Sequence, residues 1–453
     1  MKYRISDYVI SFEEGKDIIL WSTMHAKGFV IQRNEFITKL LNKEEFCLNE
    51  LKKNSVLWEL YNNKVILSKS EQENEYKIVD YRYNNTVYNR THMAITIIPT
   101  DACNFKCVYC YQPNVQKNYM TIETADKIIK MIEKCKQLRS LNVSLFGGEP
   151  LCNKKVVFYL MEKLNKICTE KSIHLIAQIT TNASLLDKET FEKLISLKVL
   201  LYQITIDGSR ITHNIQRPFY NGQPSYDIIL SNIKDIKSVK SNVFKIGIRS
   251  NCSELFTDKD MDDFFEDLNN IIKNDKRFYY FFQWVKNWGG ERIKGMAPNL
   301  LSDNLAIDKY GKWMFNSIEK GINTANYMQI KPMCIMCSAS AYYSFIINYD
   351  GKLHKCDSGM YGKLADINEI GYISDNGNLY IDDTKNAMWI EREYDKEKCI
   401  YCPQYPLCCG ALCPNIRLSK KTVKCDLEHK FIKVIMRSFY KQGLLNKIGD
   451  NNV

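Results

Sequence analysis

No stretch of this 453-residue chain is long and apolar enough to cross a bilayer. The best candidate, Phe278 to Val285, is interrupted by Gln283 and falls far short of the ~20 residues a spanning helix needs. Proline and glycine are sparse, at 10 and 20 residues, which excludes a low-complexity or linker-dominated chain. The N-terminus MKYRISDYVISFEEG breaks its apolar positions with Asp7, Glu13 and Glu14, so it does not read as a secretory signal. Tracts of one charge are missing as well. The net charge of +11 comes from scattered Lys and Arg, a poor argument for nucleic acid. No internal repeat is visible. Membrane-spanning, fibrous and small secreted classes are therefore excluded, and a reducing, cytoplasmic setting is expected. Against these absences stand 17 cysteines. In a large chain without an export signal, such cysteines are metal ligands more often than disulfides.

Residues 1–90 read as a first unit. Strand-like runs at Tyr8–Phe12 and Asp17–Ser22 precede helical patterns at Phe36–Leu41 and Cys47–Tyr61 and a short apolar run Val65–Leu67. Small strands with two or three short helices suggest a winged-helix-like module. Its 14 basic and 13 acidic residues weaken a DNA-binding reading. The acidic stretch Glu71–Glu75 reads as a solvated connector. From about residue 93 strands and helices alternate. Strands are expected at Ala94–Ile98, Asn142–Phe146, Ile173–Thr180, Leu200–Ile206, Phe244–Ile248 and Phe278–Val285, with helices between them. This texture predicts an α/β fold with a parallel sheet, open or curved as a partial barrel, whose chemistry collects at the strand C-termini. Residues 286–305 read as a linker and Ala306–Ile322 as a helix. Phe431–Leu444 reads as an amphipathic helix packing on its own domain.

Just past the first of these strands lie Cys103, Cys107 and Cys110, spaced CX3CX2C. Three thiolates on one loop can hold three irons of a [4Fe–4S] cluster and leave the fourth open. A zinc site is the alternative, but structural zinc wants four ligands, and no fourth lies in this loop. Tyr109 precedes the third cysteine. The next strands end in Phe146-Gly147-Gly148-Glu149-Pro150, Thr180-Thr181-Asn182 and Asp207-Gly208. With these motifs, about residues 93–285 resemble the radical S-adenosylmethionine (SAM) superfamily. The resemblance implies a partial (β/α)6 barrel whose open iron binds the amino and carboxylate groups of SAM. It further implies that Gly147, Gly148, Glu149 and Pro150 line the methionine end, Thr181 and Asn182 the ribose, and Tyr109 the adenine. The pattern Asp207-Gly208…His213…Arg217 is similar to that of peptide-modifying members, where an arginine pairs with the SAM carboxylate. A guanidinium fork suits that task, which makes Arg217 the first candidate and Arg249 the second.

The second cluster reads Cys334-X2-Cys337-X13-Gly351-X4-Cys356, then Cys399-X2-Cys402-X5-Cys408-Cys409-X3-Cys413-X11-Cys425. Tyr349-Asp350-Gly351-Lys352 is a hairpin signal whose flanking strands would bring Cys337 and Cys356 together. Zinc ribbons are one reading. The pattern also resembles the SPASM extension of radical SAM maturases. That implies two auxiliary [4Fe–4S] clusters, one on Cys334, Cys337, Cys356 and Cys413, the other on Cys399, Cys402, Cys408 and Cys425. The spacing Cys408-X4-Cys413 departs from the family's X3, which Cys409 restores, so either thiol is a candidate ligand. Cys47, Cys135, Cys152, Cys168 and Cys252 read as small buried hydrophobes.

The resemblance orders the chain as a winged-helix-like leader-peptide recognition domain (1–90), a radical SAM partial barrel (91–305), a linker helix (306–333) and a SPASM domain (334–453). It implies a peptide maturase using SAM and three [4Fe–4S] clusters. One electron, from a donor such as flavodoxin or ferredoxin, would generate a 5′-deoxyadenosyl radical that abstracts a hydrogen from a ribosomally made precursor peptide. A cysteine thioether is the expected product. Carbon–carbon crosslinking and residue oxidation, as in sulfatase maturases, are enzyme alternatives, and a zinc-stabilised nucleic-acid-binding protein is the alternative of another class. No residue is assigned a catalytic role.

Overall fold

A computed structural model describes residues 1–112, 117–288, 290–324, 331–410, 413–420 and 429–448. Cys425 lies outside the described residues. Two compact units form, one from Met1–Tyr88, Ala325–Ala341 and Glu391–Val453, the other from Asn89–Thr324 and Tyr342–Ile390. Among the described residues no helix is long and apolar enough to cross a membrane.

The first unit opens with β1 (Lys2–Ile5), β2 (Val9–Glu14), β3 (Asp17–Ser22), β4 (Lys27–Gln32), β5 (Phe46–Cys47) and β6 (Ile66–Ser68). Strand β1 lies between β5 and β6, antiparallel to both, while β2, β3 and β4 form an antiparallel meander. Ile18 and Leu20 of β3 enter a core with Phe29, Ile37, Leu57 and Ile66. Residues 47–61 form two helices, Leu48–Lys53 and Ser55–Asn62, instead of one. Asn54 divides them: its backbone is extended and its side chain accepts from Leu57 N–H at 3.0 Å, an N-cap that starts a new helix. The expected connector at Glu71–Glu75 is part of a long helix, Lys69–Val87. Ser68 and Glu71 close a capping box at its start, where acidic residues favour the helix dipole, and Glu75, Val79, Tyr83 and Val87 are buried at i, i+4 spacing. Acidity marked a helix N-terminus here, not solvation.

The second unit carries β7 (His92–Ile97), β8 (Ser140–Leu145), β9 (His174–Thr181), β10 (Val199–Thr205), β11 (Lys245–Cys252) and β12 (Phe278–Trp284), parallel and in sequential order. Helices such as Ile122–Lys134, Lys154–Glu170 and Asp258–Ile272 join them. Five apolar side chains of Ile122–Lys134 lie on one buried face, the amphipathic arrangement that a crossover helix requires. This is the α/β fold with a parallel sheet that the alternation predicts. The sheet continues past β7 into β13 (Ser344–Ile347), parallel to it, then antiparallel β14 (Lys352–His354), β15 (Glu369–Ile373) and β16 (Leu379–Ile381). Gly351, at φ +85°, makes the β13–β14 turn. The expected linker 286–305 contains a helix, Glu291–Met296, with Ile293 and Met296 buried beside Val108 and Tyr109. Gly290 and Pro298 punctuate this segment without unfolding it.

The chain ends in helix His429–Lys441 and β17 (Asn446–Lys447), both in the first unit. Phe439 meets Trp21 of β3 edge-on at 5.9 Å, and β17 pairs in parallel with β4.

Candidate cofactor site

All four sequence motifs emerge at the C-terminal ends of neighbouring parallel strands. The Cys103–Cys110 loop follows β7, Gly147–Pro150 follows β8, Thr181 and Asn182 end β9, and Asp207 follows β10. Backbone bonds bind the first two together: Gly148 N–H donates to Thr100 O (3.1 Å) and Glu149 N–H to Ala102 O (2.8 Å). Gly148 has to be glycine for this approach, because a Cβ there would lie 2.3 Å from Ala102 O and 2.5 Å from Asp101 O. Gly147, at φ +130°, would carry a Cβ 2.6 Å from Thr100 O.

Glu149 is buried, and its carboxylate accepts from Thr181 Oγ1 (2.7 Å), Asn182 N–H (2.7 Å) and Leu151 N–H (3.1 Å). Burial raises its pKa against these donors. Its bonds thus join β8 to β9 within the protein. Asn182 donates to Asn104 Oδ1 (2.8 Å), and Asn104 donates to Ser184 Oγ (2.8 Å), so the third strand end holds the cysteine loop from the side. Pro150 starts the short turn after Glu149 and is buried.

The other side of the loop is held by the segment after helix Arg210–Gln216. Val108 N–H donates to Gln216 O (2.9 Å), Lys106 N–H to Pro218 O (2.8 Å), and Phe105 packs edge-on against Phe219 at 4.8 Å. This places Arg217, 7% exposed, over the Phe105 ring with Nη1 donating to Tyr109 Oη at 2.6 Å. Tyr109 Oη donates to Asp207 Oδ2 (2.5 Å) and accepts from Asn251 Nδ2 (2.9 Å). Burial works against the Arg217 charge, yet Cys107, Tyr109 and Asp207 hold its pKa well above the usual value. Arg217 Nε is buried without a hydrogen-bond partner. Arg249 donates from Nε to Asn251 Oδ1 (2.9 Å) and so reaches the same network one residue further out.

His213 sets the geometry behind Arg217. Asp207 N–H donates to its Nδ1 (3.0 Å), so the ring proton sits on Nε2 and is given to Ser225 Oγ (3.1 Å), which donates to Arg217 O (2.5 Å). Burial lowers the His213 pKa far below its usual value, so this relay stays neutral. Asn104, Asn251, Ser225 and Arg292, whose Nη1 donates to Cys107 O (3.3 Å), were not singled out by sequence. Asn104 lies in the cysteine loop and Asn251 near the end of β11, while Ser225 and Arg292 sit at a helix start and within a helix and carry no such signal.

The cysteine loop suits a cationic cluster. Burial pushes the Cys107 thiol up to about 11 against the pull of Arg217, and raises Cys103, which Cys107 and Glu149 raise further. Thiolates there need a positive partner such as iron. Phe105 N–H donates to Cys103 Sγ at 3.4 Å. Among the described residues no three His, Cys, Asp or Glu side chains converge as on a single metal ion. A cubane does not require that, since each iron takes its own thiolate. Three thiols on one loop, the close-packed Gly147-Gly148 turn and the unpartnered Nε of Arg217 together fit an iron–sulfur cluster with SAM.

In the same unit, Tyr111, next to Cys110, donates its hydroxyl hydrogen bond to Asp357, next to Cys356. In the first unit Cys334 is exposed, and Cys337, Cys399, Cys402, Cys408 and Cys413 are half-buried. Cys409 is fully buried, sits in the left-handed region at φ +54° and donates from Sγ to Met333 O at 2.8 Å. Of the remaining cysteines, Cys168 and Cys252 are buried and Cys135 and Cys152 half-buried. Cys47 is exposed, contrary to expectation, because it stands at the start of helix Leu48–Lys53, where its N–H donates to Glu50.

The family model of the radical SAM superfamily matches residues 97–268. The radical SAM cyclopropyl synthase TigE of Paramaledivibacter caminithermalis is 24% identical over 382 residues, 72% of this chain and 75% of that protein. Among solved structures, anSMEcpe with bound AdoMet and Kp18Cys peptide is similar at TM-score 0.56 and 18% identity, over 78% of this chain and 98% of that one. Streptococcus suis SuiB, solved with its precursor peptide SuiA, is similar at TM-score 0.51 and 15% identity, over 92% and 97%.

Proposed function

We propose that this chain, whose residues 97–268 match the radical SAM superfamily model, is a maturase of ribosomally made peptides that closes an intramolecular crosslink, a cysteine thioether, in a precursor. The observation that carries the reading is the cysteine loop held between the Gly147–Glu149 turn and the Tyr109–Asp207–Arg217 network. Cys103, Cys107 and Cys110 would hold the cluster, and Gly147, Gly148, Thr181, Asn182, Tyr109, Arg217 and Arg249 would surround SAM. When bound, the pair supplies reductive cleavage of SAM and hydrogen-atom abstraction. The protein's part is to orient and to exclude water: Glu149 and Asn182 brace the loop from the ends of β8 and β9, and His213 fixes the Arg217 backbone through Ser225. A flavodoxin or ferredoxin would supply the electron.

The cysteines of residues 334–453 are read as ligands of two auxiliary clusters, Cys334, Cys337, Cys356 and Cys413 for one, Cys399, Cys402, Cys408 and Cys425 for the other. Cys409 is assigned no iron, because its thiol is buried and already donates to Met333 O. Peptide capture is assigned to residues 1–90 by strand addition. The outer margin of β4 is taken by β17, which leaves β2, the other margin of that sheet, for a leader strand. Support for a peptide substrate comes from structural neighbours solved with peptides. Similarity to a cyclopropyl synthase favours carbon–carbon bond formation as the second reading.

The test is anaerobic reconstitution followed by iron, sulfide and 5′-deoxyadenosine assays. The variant with Cys103, Cys107 and Cys110 all changed to Ala should lose SAM cleavage and about four of about twelve irons per chain. Retained 5′-deoxyadenosine production in that variant would overturn the assignment.

A further inference from the structure

The first unit holds a cleft of about 900 Å³ lined by β1, the turn Asp7–Tyr8, Lys43–Glu45, the first half of helix Lys69–Val87, and Ile400 and Tyr401, which lie between Cys399 and Cys402. Several basic groups around it are already paired. Lys2 meets Glu45 at 2.7 Å, and Arg4 and Lys43 both reach Asp7, at 3.4 and 2.8 Å. Glu75 lines the same cleft and has no such partner. It is 6% exposed, its two carboxylate oxygens accept only from Ser6 Oγ at 3.0 and 2.7 Å, and no described cationic side chain pairs with it. Burial, with Asp7 and Glu71 nearby, pushes its pKa up to about 7.

A buried carboxylate without a counter-ion is costly, and bracing Ser6 would not need a charge, since an amide oxygen accepts the same bond. A cation entering the cleft removes that cost. The cleft is too large for a lone amine and is of the size that encloses a multi-residue segment. Tyr8, which forms part of its wall, immediately precedes β2.

We infer that this cleft docks a basic side chain, Lys or Arg, of the precursor peptide, with Glu75 as its counter-ion. The identity of the ligand as a peptide rests on the maturase reading; the chemistry of the site does not. Ser6 orients the carboxylate, and Gln72, whose Nε2 donates to Arg4 O and Ile5 O at 3.0 Å each, keeps the β1 wall in place.

Titration calorimetry on the full chain decides the matter with three probes: acetyl-Ala-Ala-Arg-Ala-Ala-amide, the same peptide with citrulline for arginine, and agmatine. The arginine peptide should bind saturably at one site, at least tenfold more tightly than the citrulline peptide and than agmatine. Glu75→Gln, which keeps shape and the Ser6 bond, should bring the arginine peptide down to the citrulline level. Ser6→Ala, which leaves the carboxylate, should still discriminate arginine from citrulline, and Glu73→Gln on the exposed rim should stay within about twofold of the intact chain. Equal binding of arginine and citrulline peptides, agmatine binding as tightly as the peptide, an unaffected Glu75→Gln, or no saturable binding would each overturn the proposal. The maturase reading fails by a separate result, absence of SAM cleavage after reconstitution.

Discussion

Two side chains separate what a residue type suggests from what its surroundings make of it. Cys408 and Cys409 are equivalent in spacing arguments, yet Cys409 alone is turned inward, with its thiol on Met333 O and its own carbonyl accepting from Arg392 Nη1 at 2.7 Å. If Cys408 is the ligand, reconstituted Cys408→Ala should hold about eight irons per chain and Cys409→Ala about twelve, on a three-cubane count. The reverse order in an iron assay would make Cys409 the ligand. Glu75 is the second case. Its folded pKa of about 7 lies above the usual carboxylate value, so the folded state binds the proton more tightly than the unfolded chain. The associated stability is fully present below pH ~4.5 and is lost as pH rises through about 7. Glu75→Gln should therefore raise the melting temperature at pH 8, by a free energy on the order of 3 kcal/mol, and leave it nearly unchanged at pH 4. A thermal melt of both proteins at the two pH values checks the sign.

At the scale of elements, the C-terminal helix and strand complete a sheet made by the N-terminus. Ile432, Ile435, Met436 and Phe439 form an i, i+3, i+4, i+7 stripe, all at most 1% exposed. Arg437 Nε meets Glu14 Oε2 at 2.7 Å and Tyr440 Oη donates to Asp17 Oδ2 at 2.8 Å, which fixes the helix along β2 and β3. Gly28 opposes the chain just beyond this helix: a Cβ there would lie 2.5 Å from Leu445 Cδ2. Phe439→Ala should cost roughly 3–5 kcal/mol, the usual loss for a buried aromatic, seen as a lower urea midpoint. The stripe was legible in sequence as an amphipathic helix. Its partner was not, because a stripe states which face is buried and not which strand buries it.

At the scale of the whole molecule, the first unit is closed by both ends of the chain. Residues 1–88 cannot be removed without uncovering the stripe of helix His429–Lys441 and taking away the Asp80 carboxylate that accepts from Arg392 Nη2 at 2.9 Å. A chain lacking residues 1–88 should elute as an aggregate on size-exclusion chromatography, whereas Glu73→Gln, on an exposed rim, should elute as the intact chain does. Point substitutions, not truncations, are therefore the means of testing peptide capture.

The six parallel strands and the positions of their functional ends were legible from sequence because each is a local matter: an apolar run, a Gly-Gly turn, a cysteine spacing. Cys103, Gly148, Asp207 and Arg217 could be named one by one for the same reason. The helix at Lys69–Val87 and the ordered segment after Lys286 were misread, since acidity and glycine describe solvent preference and backbone freedom, while buried positions such as Glu75, Ile293 and Met296 are decided by what packs against them. Only the tertiary structure joined Tyr109 to Asp207, Arg217 and Asn251, brought Tyr111 to Asp357, seated β17 on β4 and left Glu75 buried with no cation paired to it among the described residues. Each of these depends on residues 98 or more apart in the chain, or on the absence of a neighbour, and neither leaves a mark in a linear pattern.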